Sequence, residues 1–417
     1  MNMNKFANIV ALVFLLITLV LEILYGYKII NISIYSYFIV FFGVISLIIY
    51  LINKFKNREF KFYELLILLM SILSFLSYVF AKDKYIALHG FSLGREGLLV
   101  LLSYNSFLLL GSVMKKDKLE LLEKVFLTIV GINIVFAILQ VLKVPIPLPI
   151  IYDYPGGLLY SASFYSTLTL LGVLLLLSKY LYKDDRIIIL VLLLFFIFGM
   201  FLANVLSSLL AFTIIWFVII VRNIVYKNKK FLFKNLFLLF FISLVFIISN
   251  LINKSILFND IKETVIDSNK VIEGKKVSSF GNGRIHIWGK GFYYFNKYNY
   301  YSYGIGIDNF LFIGKDKYIK DWNNKKIVYK AHNEFLQILF CEGIYRFLIY
   351  IVLIIYMEYN SIKKIRKPKK KNKYYLITLF ITVNGYIIQS IFNISSILVA
   401  PFYYYLFGFL LGGEKSD

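Results

Sequence analysis

Long apolar stretches alternate with short polar ones along nearly the whole chain. Apolar stretches of about 18 to 22 residues fall at roughly 6–26, 32–52, 62–81, 97–114, 125–143, 161–178, 187–203, 205–221, 235–252, 335–357, 374–392 and 396–413. About 20 apolar residues span bilayer hydrocarbon as a helix, and a helix satisfies its own backbone where no water is present. The pattern therefore predicts an all-α integral membrane protein with about 12 transmembrane helices. The pair that divides near Asn204 reads as two short spans or a re-entrant hairpin. The expected organisation is helices 1–9 in residues 1–252, one external loop at 253–333, and helices 10–12 in residues 334–417.

Composition agrees with this class: 60% of the residues are hydrophobic and 19% aromatic. The net charge of +23 would suggest nucleic acid if it were spread over a soluble surface. It is not spread. With the N-terminus inside, 24 lysines and arginines fall in the five short loops 53–61, 115–124, 179–186, 222–234 and 363–373. The short loops of the other side carry only Lys28, Lys82, Lys84, Arg95 and Lys143. This is the positive-inside distribution. It predicts a multi-pass protein of the cell membrane with both termini cytoplasmic and no nucleic-acid partner. The basic run Lys363–Lys371 reads as a topology anchor on anionic lipid. The first span lacks a small-residue cleavage site and reads as a retained helix. The single cysteine, Cys341, lies within an apolar stretch, so no disulfide orders the loop.

The loop at 253–333 has three parts. The first, to Phe280, is mixed polar and weakly patterned. In the second, Arg284, Trp288, Gly291 and Phe295 share one helical face, which predicts a short amphipathic helix at the membrane interface. The third is a glycine-punctuated turn, Tyr303-Gly304-Ile305-Gly306-Ile307-Asp308-Asn309-Phe310. The loop ends at His332-Asn333, and Gly343 follows ten residues after Asn333 inside the next apolar stretch.

Taken together, His332-Asn333 with Gly343 resembles the signature of the O-antigen ligase/polymerase superfamily, multi-spanning enzymes that move sugar chains off a lipid diphosphate carrier. The Arg284…Trp288 pair and the Gly304-Ile305-Gly306-Ile307-Asp308-Asn309-Phe310 turn resemble further elements of that family, in the family's order. So does Arg95-Glu96-Gly97 at the mouth of an early span. The likeness runs from about residue 90 to the C-terminus. Two departures stand out. Arg346 occupies a place that usually holds a small residue or Tyr. The stretch Asn204–Ala211 lacks the Arg of the family's Ser-Arg-Gly-Ala element. If that Arg grips phosphate, Arg95, Arg284 or a lysine must do so in this chain.

The resemblance implies a metal-independent glycosyltransferase without cofactor. It would transfer a glycan from undecaprenyl diphosphate to an acceptor hydroxyl on the external face, as a repeat-unit polymerase or as a ligase. The implied partners are the undecaprenyl-diphosphate-linked oligosaccharide, a glycan or lipid acceptor, the bilayer and other polysaccharide-export proteins. Such transfer needs a base for the acceptor hydroxyl, a task suited to His332. It also needs cations for the leaving diphosphate, where Arg95 and Arg284 fit by their planar fork and Asn333 adds hydrogen bonding. At a helix start and near arginines His332 would stay neutral. Each residue also has a structural reading: His332 interfacial, Arg284 snorkelling to headgroups, Arg95 paired with Glu96 or Glu64, Asn333 a plain helix cap. Glu342, roughly 15 Å down the helix at 1.5 Å per residue, must face a partner or a cavity. The three histidines lie in different segments without ligand spacing, so no metal site is expected. The alternative class is a multi-spanning transporter or flippase for lipid-linked sugar or a small anion. Against it stand the lack of half-to-half similarity and the gathering of polar residues at one face rather than mid-membrane. A non-catalytic assembly partner is a third reading.

Overall fold

The computed structural model describes residues 3–412 apart from 58, 92–93, 115–118, 145–154, 160, 185, 274–276, 278–280, 282, 316, 322, 324 and 367–372. Ser92 and Leu93, residues 278–280, Trp322 and the 367–371 part of the basic run thus lie outside the described residues.

Fifteen α-helices are described: α1 (Met3–Gly26), α2 (Ile32–Asn57), α3 (Phe62–Val79), α4 (Lys84–His89), α5 (Leu98–Val113), α6 (Leu119–Val141), α7 (Ala162–Tyr182), α8 (Ile187–Leu202), α9 (Leu206–Val225), α10 (Lys229–Ile252), α11 (Ile256–Ile272), α12 (Arg284–Lys297), α13 (Glu334–Arg366), α14 (Lys373–Ser390) and α15 (Ala400–Gly412). Among the described residues there is no β-strand, only one isolated bridge between Lys320 and Ile327. Each apolar stretch of the sequence lies on a helix. Among the described residues, eight helices are long and apolar enough to cross a membrane, while α5 and α8 are apolar but shorter. The chain is an all-α, multi-pass membrane protein.

Helix α7 is its axis: its entire apolar window is buried, with α8 and α14 against it. A second tight group joins α2, α5 and α15. Small residues make this possible, as expected where helices pack without a hydrophobic drive between them. A Cβ on Gly111 would stand 2.3 Å from the Tyr405 carbonyl oxygen, and one on Gly408 2.0 Å from that of Leu108. By contrast, α10 keeps Phe233, Leu236, Phe240 and Leu251 exposed, an outer apolar surface suited to lipid.

At the C-terminal end of α15, Lys364 donates to the Leu410 carbonyl at 3.2 Å and Lys61 reaches that of Gly412 at 3.5 Å. Cations there satisfy carbonyls a helix leaves unpaired. Nearby basic residues also find partners: Lys54 pairs with Glu64, and Lys179 lies 3.0 Å from Glu123.

The insertion is more ordered than its sequence suggests. Its first part, weakly patterned as a sequence, contains the 17-residue helix α11. Its second part forms α12, the expected amphipathic helix. Rather than lying free, α12 buries Ile287, Gly291 and Phe295 against Phe340 of α13 in a core of the loop's own, with Ile305, Phe310, Ile313 and Val328. The loop orders itself by hydrophobic burial on the helices beneath it.

Candidate active site

The site is built around a break in α13. The sequence suggests one continuous helix through Gly343, but Gly343 has φ 84° and ψ 175°, far from helical values. A side chain is disfavoured at such a φ, and a Cβ there would stand 2.3 Å from the Ser302 carbonyl oxygen. The break frees carbonyls of the preceding turn, and the glycine turn takes them. Ile305 N–H donates to the Phe340 carbonyl at 3.0 Å, and Gly306 N–H to that of Cys341 at 2.9 Å. On the far side, Ile344 N–H donates to the Tyr301 carbonyl at 2.7 Å. Gly304, with φ 70°, lets the turn pass against the backbone of Cys341 and Glu342. Asn309 clamps the other flank, exchanging hydrogen bonds with the backbone of Asp83 at 2.8 and 3.1 Å. The glycine turn and Gly343, some 40 positions apart in the sequence, are thus two halves of one joint.

That joint sets the first turn of α13 and the residue before it. Asn333 caps the helix, its Oδ1 accepting from Leu336 N–H at 3.0 Å. His332 has φ 52°, the left-handed region, and is half-buried. On one side of it, Trp288 Nε1–H donates to the Ala331 carbonyl at 2.8 Å. On the same side, Ala331 N–H donates to Gln337 Oε1 at 2.8 Å. Arg284, at the start of α12, is close enough for its charge to act on His332. Burial, then the charges of Arg284 and Lys330, pull the His332 imidazole down to about 4. The ring is therefore neutral, as expected from the sequence, though the main cause is burial. Burial also lowers the Arg284 guanidinium from its usual range, and its only described polar contact is a long one, 3.4 Å to the Gly281 carbonyl.

Beneath His332 lies a charged network that the sequence did not single out. Lys330 is buried and paired with Glu96, and lies 3.9 Å from Asp308. Burial opposes its charge, but the two carboxylates more than offset this and hold the ammonium above its usual range. Glu96 further accepts from Tyr104 Oη at 3.0 Å and Ser395 Oγ at 2.6 Å. Asp308 accepts from Phe91 N–H at 2.6 Å, and burial raises its carboxyl to about 6. Glu334 accepts from Tyr386 Oη at 3.2 Å. These groups line a cavity of about 470 Å³ that extends to Glu342 and Arg346. A larger cavity, of about 760 Å³ between α1, α6, α7, α14 and α15, is almost wholly apolar and does not touch them.

The sequence candidates are thus only partly brought together. His332, Asn333 and Arg284 share one site. Arg95 does not pair with either expected carboxylate: Glu96 is taken by Lys330 and Glu64 by Lys54. Arg95 is half-buried in a left-handed turn, with φ 47° and its Nε buried without a partner among the described residues. Lys330 passes next to Gly94, where a Cβ would be 2.7 Å from its Nζ. Glu342 has its partners, Ser74 and Arg346, with Arg346 Nε 3.5 Å away. The departure at Arg346 is therefore one half of an i, i+4 pair with a buried carboxylate. Three missed groups carried a legible signal: Glu96, Asp308 and Lys330 are charges inside or next to the recognised elements.

No curated protein matches the chain. Residues 188–351, from the start of α8 to beyond the Gly343 break and including Arg284, His332 and Asn333, match the family described as O-antigen ligase. The joint between the glycine turn and α13 thus lies within the stretch that matches the O-antigen ligase family, and this match supports the O-antigen ligase/polymerase superfamily.

Proposed function

We propose that the protein transfers a glycan from undecaprenyl diphosphate to an acceptor hydroxyl at the external face of the cell membrane, with both termini cytoplasmic and about twelve crossings. The observation that carries this reading is a neutral histidine beside a guanidinium with little protein hydrogen bonding of its own. His332 accepts the proton of the acceptor hydroxyl. The oxygen attacks the anomeric carbon from the face opposite the diphosphate, and the carbon–oxygen bond to the diphosphate breaks with inversion. The departing charge is met by Arg284, by Arg95 if the turn at 94–97 brings it over, and by the Asn333 side-chain amide, whose Oδ1 is already committed to the cap. No step requires a metal.

The neutral state of His332 has a second consequence. Burial, and after it the charges of Arg284 and Lys330, hold its basicity low. A bound diphosphate brings negative charge against the same two cations, so the histidine regains basicity when the donor is in place. Lys330, Glu96 and Asp308 act through position: they tie the segment before His332 to the start of α5 and to the glycine turn.

A polymerase extends a lipid-linked chain; a ligase passes a finished chain to another acceptor. We favour the polymerase, since Arg346, where the family's pattern has a small residue or Tyr, departs from the ligase-style ending of the signature. The test is a size profile of lipid-linked and surface glycans in the native cells, comparing wild type, a deletion, and the deletion carrying His332→Ala at matched membrane levels. Single repeat units in both mutant strains are the expected result. Full-length polymer held on its lipid carrier makes the protein a ligase. Repeat units accumulating on the cytoplasmic face, or wild-type glycans with His332→Ala, overturn the reading in favour of transport.

A further inference from the structure

Helices α8 and α9 meet at a break with unusual polar accounts. Asn204 sits in it with φ 53° and is only 8% exposed, yet both its Oδ1 and its Nδ2 lack a partner among the described residues. Ser207, 3% exposed, has an unpartnered Oγ. Helix α9 also starts without a side-chain cap on its first N–H groups. Buried polar groups are nearly always paired, and leaving one unpaired costs more than a made hydrogen bond returns. Three such atoms within four residues, at the start of a 20-residue helix, mark a place completed by something outside the chain.

The neighbouring polar side chains are paired among themselves. Gln389 Nε2 donates to Thr167 Oγ1 at 2.7 Å and to Ser208 Oγ at 3.1 Å, and Asn393 Nδ2 donates to Thr167 Oγ1 at 3.3 Å. Asn393 is two residues from Ser395, which is bonded to Glu96. The break therefore lies at the same end of the bundle as His332. None of Asn204, Ser207, Ser208, Thr167, Gln389 and Asn393 is charged.

The unpaired atoms select the ligand. A phosphate or carboxylate would occupy the N–H groups but leave Asn204 Oδ1 without a donor, and it would be buried among side chains with no countercharge. Satisfying both ends of the Asn204 amide requires a group that donates and accepts at adjacent positions, such as two neighbouring hydroxyls of a sugar ring. We propose that the α8–α9 break is a subsite for a sugar ring of the lipid-linked glycan, held through Asn204, Ser207 and the first N–H groups of α9. This rests on the glycosyltransferase reading and names the part of the substrate bound there.

The test uses the full chain in lipid nanodiscs and two probes: the lipid-linked oligosaccharide extracted from the native cells, and undecaprenyl diphosphate without sugar. Ser207→Ala removes an unpaired hydroxyl, and Asn204→Gly removes the amide while tolerating the positive φ. The expected result is unchanged thermal stability and unchanged affinity for the sugar-free lipid. Affinity for the glycan-bearing lipid should weaken by about five- to thirtyfold, the worth of one to two hydrogen bonds. Equal weakening for both probes overturns the sugar assignment in favour of the lipid phosphates. Unchanged affinities overturn it as well, and a loss of stability alongside them assigns the groups to buried water. A wild-type protein that binds neither probe refutes the glycosyltransferase reading itself. His332→Ala, expected to bind both probes and to transfer no glycan from the glycan-bearing one, separates the two failures.

Discussion

The chain interrupts its helices at two places at the same end of the bundle, and they are finished in opposite ways. At Gly343 the backbone leaves the helix, and the protein itself takes up the freed carbonyls through Ile305, Gly306 and Ser77. At Asn204 the chain turns between α8 and α9 and leaves an amide and a hydroxyl without partners among the described residues, beside a helix start that has no side-chain cap. The first break is closed by the protein's own hydrogen bonds, and it fixes the helix start at which His332 and Asn333 sit. The second is incomplete in the free protein. A break closed by the protein serves architecture, whereas a buried break left open points to what the protein binds.

The comparison can be attacked first where the effect should be greatest. Gly343→Ala puts a Cβ 2.3 Å from a backbone oxygen at φ 84°. It should cost at least on the order of 3 kcal/mol from strain and displacement of the glycine turn, removing folded protein from the membrane. Size-exclusion yield and thermal unfolding report this; a stable Gly343→Ala protein would show that the joint is pliable. Lys330→Met leaves Glu96 and Asp308 buried without their cation and should destabilise by about 3–5 kcal/mol. Adding Glu96→Gln to it should recover part of that loss, and a double variant no more stable than Lys330→Met alone would remove Lys330 from its positioning role.

Acidity probes the same joint more gently. As the proposed base, His332 must be neutral, and burial with the charges of Arg284 and Lys330 depresses its imidazole to about 4. Protonation should therefore abolish its function only as pH falls through that value. Transfer at limiting donor should stay level from neutral pH down to about 5, fall to about half near pH 4 and decline about tenfold per unit below it. At saturating donor the decline should begin at higher pH, because the bound diphosphate offsets Arg284 and Lys330. A limiting-donor decline centred at the ordinary histidine value, near 6.5, would contradict the burial of the ring. The smallest effect is expected at Trp288→Phe, which keeps the packing and loses one hydrogen bond to Ala331, about 1 kcal/mol. Transfer should fall with little change in expression; an unchanged rate would show that α12 does not position His332.

Much of the site was legible in the chain itself. His332-Asn333, Gly343, the glycine turn and the Arg284…Trp288 pair all stand in sequence, and the structure joins them. The cap at Asn333 follows from side-chain chemistry alone. Arg95 shows where such reading stops: Glu96 is its neighbour in sequence, yet Glu96 is paired with Lys330, 234 positions away. Adjacency in a turn says little about which way two side chains point.

Hydrophobic periodicity determined the helices, because in lipid a chain must satisfy its own backbone and each apolar stretch can do so locally. Composition and the uneven distribution of lysine and arginine determined the membrane class. Only the tertiary structure decided that α13 breaks at Gly343 and that Lys330 serves Glu96 and Asp308. The open polar groups of the α8–α9 turn belong to the same set. These depend on which segments meet across the bundle, and a buried charge or a freed carbonyl is satisfied by whatever group packing brings within hydrogen-bond reach.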